Sequence, residues 1–236
     1  MDSLKYAFYG HHKCATMSLN TLAGAVCRRL GVRFRPVYNE DQFAHDLAGF
    51  CASENVQFLA YGNADYSFVR DLPPHRGFHI IRDPRDIVVS AYYSHMYSHP
   101  TNAWPELEEH RALLQSLPEE EGLLAEIRFR GRSFEHMQSW DYAQDDILEI
   151  RFEDLASRNY ETLLKAFAHL GLTDSEDYHF HRRIGGLGRE IRAALAARTG
   201  LRLPGPGTGG TLPDAELLVL AWRNRFEAKS KGRQQG

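Results

Sequence analysis

Short apolar runs alternate along the chain with longer segments of helical periodicity. The apolar runs predict buried strands at residues 5–9, 58–61, 77–81 and 147–152. Apolar residues at helical spacing predict helices at residues 18–30, 84–97 and 153–170. Strands that alternate with helices in this way predict an α/β fold, in which a central parallel sheet carries helices on both faces.

The rest of the chain is less regular. Residues 104–142 are mostly helical in pattern and charged, and we expect them to cap one edge of the sheet. Residues 203–213 are rich in glycine and proline and predict a loop, which a helix at residues 214–226 follows. Because no linker or repeat divides the chain, we expect residues 1–236 to form a single domain.

Composition excludes several functional classes. Charged residues make up 25% of the 236 residues and the net charge is -3, so no basic field favours nucleic acid. No apolar run approaches the roughly 20 residues of a membrane helix. The 3 cysteines, Cys14, Cys27 and Cys51, fit neither a disulfide framework nor a zinc site, which favours a reduced, cytoplasmic protein.

The first candidate anion site joins the first strand to the first helix. Gly10 allows a sharp turn, Lys13 adds a positive charge, and Thr16 and Ser18 bring hydroxyl groups to the helix start. A helix N-terminus offers unpaired N–H groups and a partial positive charge, so it attracts anions. The spacing is not that of a Walker A loop. The alternative is a plain turn in which the hydroxyl residues only cap the helix.

The second candidate anion site follows the strand at residues 77–81. That strand delivers Arg82 at its carboxyl end, and the helix that begins at Pro84 carries Ser90 two turns later. Arginine suits phosphate because its planar fork donates to two oxygens at once. Surface ion pairs are the alternative for this segment, and for Arg85 and Asp86 we expect a structural role. Two such sites on adjacent strand–helix turns indicate one doubly anionic ligand.

Three segments together resemble the family of sulfotransferases that use 3′-phosphoadenosine 5′-phosphosulfate (PAPS). They are GHHKCATMSL from Gly10, IIRDPRDIVVSAYYSH from Ile80, and IRFEDL from Ile150, which a FAHLGL segment follows. The resemblance implies a P-loop-NTPase-like sulfotransferase fold. It also implies in-line transfer of a sulfuryl group from PAPS to a hydroxyl or amine of a small-molecule acceptor, without a metal.

The resemblance also assigns site residues by position. Arg82 and Ser90 would hold the 3′-phosphate, and Lys13 would stabilise the charge that develops as the sulfuryl bond breaks. The residues that would cradle the 5′-phosphosulfate are His12, Lys13, Cys14, Ala15, Thr16, Met17 and Ser18.

The chain departs from the family pattern in three places. Ala15 replaces the usual second glycine of the loop, and its methyl group fits there if φ is negative. Asn63 stands nearest the place of the acceptor-activating histidine. The late segment that closes over the nucleotide is not evident, so we expect it to be absent or incomplete. Candidate general bases are therefore Glu40 first, Asp65 next, and then His11 or His12.

Two further readings of the sequence concern metals and other functions. His95 and His99 lie one helical turn apart, but no carboxylate or cysteine accompanies them at ligand spacing, so we expect no metal site. The alternative functions are a binding module that holds adenosine 3′,5′-bisphosphate without turnover, and a P-loop kinase. A kinase would need Walker A spacing and Mg²⁺ ligands, and neither is apparent.

Overall fold

The computed structural model describes residues 4–102 and 104–172. The elements in chain order are β1 (Tyr6–Gly10), α1 (Thr16–Leu30), β2 (Phe34–Val37), a 3₁₀ turn (Glu40–Phe43), α2 (Leu47–Ser53), β3 (Phe58–Gly62), α3 (Tyr66–Val69), β4 (Arg76–Ile81), α4 (Pro84–Tyr97), α5 (Pro105–Ser116), α6 (Glu119–Phe129), α7 (Gly131–Ser139), β5 (Ile147–Arg151), α8 (Phe152–Ser157) and α9 (Asn159–His169).

Within the described residues the strands form one five-stranded sheet in the order β2-β3-β1-β4-β5, and every neighbouring pair is parallel. The register places Gly10, the last residue of β1, beside Gly62 of β3 and Ile80 of β4. The carboxyl ends of these three strands therefore meet at one edge of the sheet. Ligands of open α/β sheets bind at this edge.

Helices cover both faces of the sheet, because alternate strand residues point to opposite sides. Phe8 belongs to a core that helices α1, α4, α8 and α9 complete, whereas its neighbour Tyr9 belongs to a core that α2 and α3 complete. Both side chains are fully buried. This double coverage confirms the predicted α/β architecture.

The predicted elements agree with the structure except at their ends and in two places. Helix α4 has the predicted limits, and Gly31 ends α1 in the left-handed conformation with φ 66. The helix predicted at residues 153–170 is instead two helices, because the chain bends at Arg158, where φ is -134 and ψ is 53. Strand β2 was not predicted, since its central residues Arg35 and Pro36 are exposed.

Helices α4 to α7 lie between β4 and β5 in the chain and form a cap. Helix α6 approaches α4 closely, because a Cβ atom added to Gly122 would lie 2.6 Å from the ring of Tyr92. Helices α5 to α7 confirm the prediction that residues 104–142 are mostly helical. In the described part of the chain, no helix has both the length and the apolar character required to cross a bilayer. The predicted loop at 203–213 and helix at 214–226 lie outside the described residues.

Candidate functional site

The first predicted anion site is the loop between β1 and α1. Helix α1 begins at Thr16, earlier than the predicted Ser18. The amide of Cys14 and the hydroxyl of Thr16 both donate to the carbonyl oxygen of His11, at 3.2 and 3.1 Å, and these bonds tighten the turn. Met17 and Ser18 are exposed. Within this loop, the start of α1 directs its first amides toward the edge of the sheet where Gly10 ends β1.

Two residues of the loop adopt the left-handed conformation. Lys13 has φ 65 and Ala15 has φ 59. The condition under which the methyl group of Ala15 would fit without strain, a negative φ, is therefore not met. The loop adopts a backbone conformation that glycine tolerates. In this conformation the methyl group of Ala15 adds a steric cost of about 1–2 kcal/mol.

The second predicted site contacts the first directly. Arg82 follows β4, and its Nη1 donates a 2.8 Å hydrogen bond to the carbonyl oxygen of Lys13. Its guanidinium carbon lies 4.1 Å from the ring centroid of Phe152, at the start of α8. Its Nε is buried and has no hydrogen-bond partner among the residues that the structure describes. A buried donor without a partner is costly, so this atom is suited to a ligand oxygen.

The rest of the second turn shapes the start of α4. Asp83 caps the helix by accepting from the amide of Arg85 at 2.9 Å, and its carboxylate also pairs with the Arg85 side chain at 2.6 Å. Both side chains face solvent in part, and this pair holds the pKa of Asp83 down at about 2. Arg85 thus has the structural role expected for it. Ser90 lies half-buried on α4, further along the helix.

Burial controls the chemistry of the loop side chains. Burial, together with the nearby charge of Arg82, lowers the pKa of Lys13 to about 8, against a smaller opposing effect of Glu126. Burial raises the pKa of the Cys14 thiol to about 12, so this cysteine is not a reactive thiolate despite its place before a helix. The loop therefore offers a titratable ammonium group and backbone amides rather than a nucleophile.

The two carboxylates predicted as candidate bases lie on the far side of β3 and are already engaged. Glu40 begins the 3₁₀ turn and pairs with Arg132 at 2.5 Å. Burial raises the pKa of Glu40, but hydrogen bonds and the charge of Arg132 outweigh this and lower it. Asp65 caps α3 through the amide of Ser67 at 2.9 Å and lies 3.4 Å from His136 Nε2.

A chain of buried polar side chains leads from β5 to His11. Glu149 lies 2.8 Å from His79 Nδ1, and His79 Nε2 lies 2.8 Å from His11 Nε2. Trp140 donates to Glu149 and stacks on the His79 ring at 4.1 Å. An ionised Glu149 makes Nδ1 of His79 the donor, so His79 Nε2 accepts from His11 and leaves His11 Nδ1 as a bare acceptor. Among the described residues, that nitrogen has no hydrogen-bond partner.

A second group of buried polar side chains leads from the cap to His12. Glu126 Oε2 lies 2.9 Å from His110 Nε2, and His95 Nε2 lies 3.1 Å from His12 Nε2. Glu126 Oε1 also lies 2.9 Å from His95 Nδ1, but neither of these two atoms has a hydrogen-bond partner among the described residues, so the carboxylate does not set the tautomer of His95 or His12. Burial lowers the pKa of both His12 and His95, with Arg130 the strongest of the charges that add to it. Both imidazoles are therefore neutral near pH 7.

The same histidines offer metal-ligating atoms, which sequence spacing did not reveal. Ligand atoms of His12, His95 and His99 lie within 4.8 Å of one another, and so do those of His95, His110 and Glu126. Burial, and after it the positive charges of Arg130, Lys13 and Arg111, lower the pKa of His95 to about 3. The same charges oppose a bound divalent cation, so the electrostatics here favour an anion.

One protein-family model, that of the sulfotransferase domain, matches residues 76–182, which begin at β4 and include the Arg82 turn. Over these residues, which make up just under half of the chain, the chain is similar to the sulfotransferase domain. The loop between β1 and α1 lies before the matched residues, and the pairing of β1 with β4 places it beside the matched turn.

Two solved structures resemble this chain. Mouse sulfotransferase SULT7A1 complexed with PAP has a TM-score of 0.47 and 17% identity, over 79% of this chain and 64% of that chain. Retinol dehydratase in complex with androsterone and inactive cofactor PAP has a TM-score of 0.42 and 13% identity, over 97% of this chain and 81% of that chain. The chain thus spans less than two thirds of the mouse protein. No curated protein matches the sequence.

Proposed function

We propose that this protein binds PAPS and transfers its sulfuryl group to a hydroxyl or amine of a small-molecule acceptor. The observation that carries the proposal is the 2.8 Å hydrogen bond between Arg82 and the carbonyl of Lys13. It ties two strand–helix turns into one surface with an ammonium group on one turn and a guanidinium group on the other. Such a surface suits a ligand that is anionic at both ends.

In this proposal the two turns bind opposite ends of one nucleotide. The loop from His12 to Ser18 holds the 5′-phosphosulfate through the amides at the start of α1 and through Lys13. Arg82 and Ser90 hold the 3′-phosphate. The buried Nε of Arg82, which lacks a partner within the described residues, supports the fit, because a phosphate oxygen would satisfy it.

Bound PAPS supplies an activated sulfuryl group, and the residues of the chain supply position and charge. Lys13 stabilises the negative charge that develops on the oxygen between phosphorus and sulfur as that bond breaks, while the acceptor oxygen or nitrogen bonds to sulfur. The bound anion also raises the pKa of Lys13 and keeps it protonated. The loop then acts by electrostatics and alignment, with no covalent role for Cys14.

His12 is the general base that the contacts favour. His12 precedes Lys13 in the loop, and its Nε2 lies 3.1 Å from His95 Nε2. In the tautomer in which Nε2 carries the hydrogen and donates to His95, the lone pair of His12 Nδ1 can take the proton of the acceptor. Glu40 would first have to leave Arg132, and Asp65 would have to share its role as a helix cap.

Thermal denaturation with nucleotides tests the ligand, because a compound that binds only the folded state must raise the melting temperature. We expect adenosine 3′,5′-bisphosphate to raise it more than AMP, ADP or ATP at equal concentration. Transfer of radiolabelled sulfate from PAPS to a panel of phenols, alcohols and amines tests the reaction. Binding without transfer to any acceptor would favour the binding module, and Mg²⁺-dependent turnover of ATP without bisphosphate binding would favour a kinase.

A further inference from the structure

Arg130 is a buried cation at the junction of helices α6 and α7. The side chain is only 9% exposed, and its Nη2 donates to the hydroxyl of Ser133. Its guanidinium carbon lies 5.5 Å from the ring centroid of Trp104. Its Nε is buried without a hydrogen-bond partner, as far as residues 4–102 and 104–172 are concerned. The Nε–H group of Arg130 therefore lacks an acceptor among the described residues.

No carboxylate within the described residues forms a salt bridge with Arg130. Glu126, one helical turn earlier, raises the pKa of Arg130, but burial outweighs this and lowers it to about 10. The two oxygens of Glu126 lie against His95 and His110, at 2.9 Å each. An unpaired charge in such a position is expensive, and natural proteins keep such charges mainly where a ligand neutralises them.

Arg130 and Arg82 reach the loop from different elements. Burial is the main cause that lowers the pKa of His11 and of His12, and the charge of Arg130 adds to it. Arg82 contacts Lys13 from the end of β4. Arg130 lies between two helices of the cap, where an acceptor would have to approach if Arg82 lies on the nucleotide side.

We propose that Arg130 binds an oxyanion on the acceptor side of the loop. This oxyanion is either the sulfonate that is being transferred or an acidic group carried by the acceptor. The inference rests on the proposed function and makes it more specific, because the second source would restrict the acceptors to anionic compounds. The Trp104 ring near Arg130 stacks on Phe129, which stacks on His110, and such an aromatic cluster suits an aromatic acceptor of that kind.

The test compares the wild type with Arg130→Gln, which keeps a planar polar group without charge, and with Arg130→Lys, which keeps the charge without the fork. Arg128→Gln is the matched control, since Arg128 is exposed on the same helix. Calorimetry measures the affinity for PAPS and for adenosine 3′,5′-bisphosphate. A second arm titrates sulfate and benzoate onto the bisphosphate complex of each protein.

If Arg130 binds the sulfonate, Arg130→Gln weakens PAPS binding about tenfold or more relative to bisphosphate, because a charge-assisted hydrogen bond is lost. If Arg130 binds an acidic acceptor, the ratio of the two nucleotide affinities stays unchanged and the binding of sulfate or benzoate is lost. Arg130→Lys should fall between the wild type and Arg130→Gln, and Arg128→Gln should match the wild type. Should the glutamine variant not fold, the lysine variant is compared with the wild type in the same way.

The inference is wrong if the Arg130 variants fold and match the wild type in both arms, including the case in which the wild type itself binds no sulfate or benzoate. A lower melting temperature with unchanged affinity ratios and unchanged binding of sulfate and benzoate would show that Arg130 only supports the cap. If the wild type binds neither nucleotide, the proposed function fails and the inference fails with it. Nucleotide binding by all variants, with no difference from the wild type in either arm, would overturn the inference alone.

Discussion

His12 and His95 lie far apart in the chain and meet through their Nε2 atoms at 3.1 Å. One belongs to the loop after β1 and the other to the last turn of α4. This contact joins the loop to the cap and holds the two rings in a fixed orientation, and burial lowers the pKa of both so that they are neutral near pH 7. This relationship makes His12, and not a carboxylate, the residue that we expect to accept the proton of the acceptor.

Replacing His12 by glutamine should lower kcat by about 10²- to 10⁴-fold, the usual contribution of a general base. His95→Gln should have a smaller effect, because it removes only the orientation of His12. Steady-state rates with saturating PAPS measure both. Glu40→Gln is the comparison, and it should change kcat only slightly. A large loss for Glu40→Gln with an active His12→Gln protein would transfer the role of base to Glu40.

Replacing Lys13 by alanine should lower the transfer rate by orders of magnitude, because electrostatic stabilisation of the leaving oxygen is lost. The affinity for adenosine 3′,5′-bisphosphate should fall much less, since the loop amides and Arg82 remain. Single-turnover rates and calorimetry measure the two quantities separately. Lys165→Ala, an exposed lysine on α9, is the control. Equal and small effects on rate and affinity would remove Lys13 from the site.

The pH dependence of the wild type should show the titration of Lys13. Its pKa in the free protein is about 8, so the cationic form that binds the phosphosulfate is lost as pH rises through that value. We therefore expect kcat/KM, which reports the free protein, to decline above about pH 8. The decline in kcat, which reports the complex with PAPS, should lie at higher pH, because the bound phosphosulfate stabilises the protonated form of Lys13. A Lys13→Arg protein that keeps the same alkaline limb would contradict this assignment.

Replacing Arg82 by glutamine should weaken binding of adenosine 3′,5′-bisphosphate by about tenfold or more, the loss expected for a charge-assisted hydrogen bond. Binding of AMP, which lacks the 3′-phosphate, should change little. Ser90→Ala should show the same selective loss at smaller size. Calorimetry with both nucleotides makes the comparison, and Arg85→Gln serves as the control because Arg85 pairs with Asp83. An equal loss for both nucleotides would mean that Arg82 only shapes the loop.

Replacing Ala15 by glycine should stabilise the fold. The left-handed conformation costs alanine about 1–2 kcal/mol, and the extra freedom of glycine in the unfolded chain offsets roughly half of that gain. We expect a net increase of about 0.5–1 kcal/mol in the free energy of unfolding. Urea denaturation measures it. Ala112→Gly, at an exposed position of helix α5, is the control, and it should lower the free energy of unfolding. An equal decrease in the free energy of unfolding for both variants would refute the strain at Ala15.

The parts of the fold that depend on local pattern could be predicted from the sequence. The apolar run before Arg82 and the proline at the first turn of α4 specify a strand, a turn and a helix within a few residues. Strand β2 escaped prediction because it pairs only with β3, at the border of the sheet, and exposes Arg35 and Pro36. Its place depends on pairing with a distant strand, and periodicity does not report pairing.

The site was predictable in part for the same reason. Lys13 and Arg82 follow buried strands, so the order of the sheet was enough to bring them together. The contact between Glu126 and His95 arises from the packing of α6 on α4, and no local spacing connects the two residues. The strain at Ala15 could not be predicted because the residue type alone does not determine the sign of φ. Tertiary structure imposed the conformation instead.

Every cap residue that we connect with the acceptor, including His95, Glu126 and Arg130, belongs to one continuous stretch between β4 and β5. These two strands are direct neighbours, with Ile80 beside Ile150, so the stretch leaves and re-enters the sheet at adjacent points. A segment anchored in this way can be replaced as a unit by the equivalent segment of another protein with the same sheet. We expect that replacing residues 95–142 by the corresponding segment of a relative would change the acceptor preference and leave the proposed nucleotide-binding turns in place.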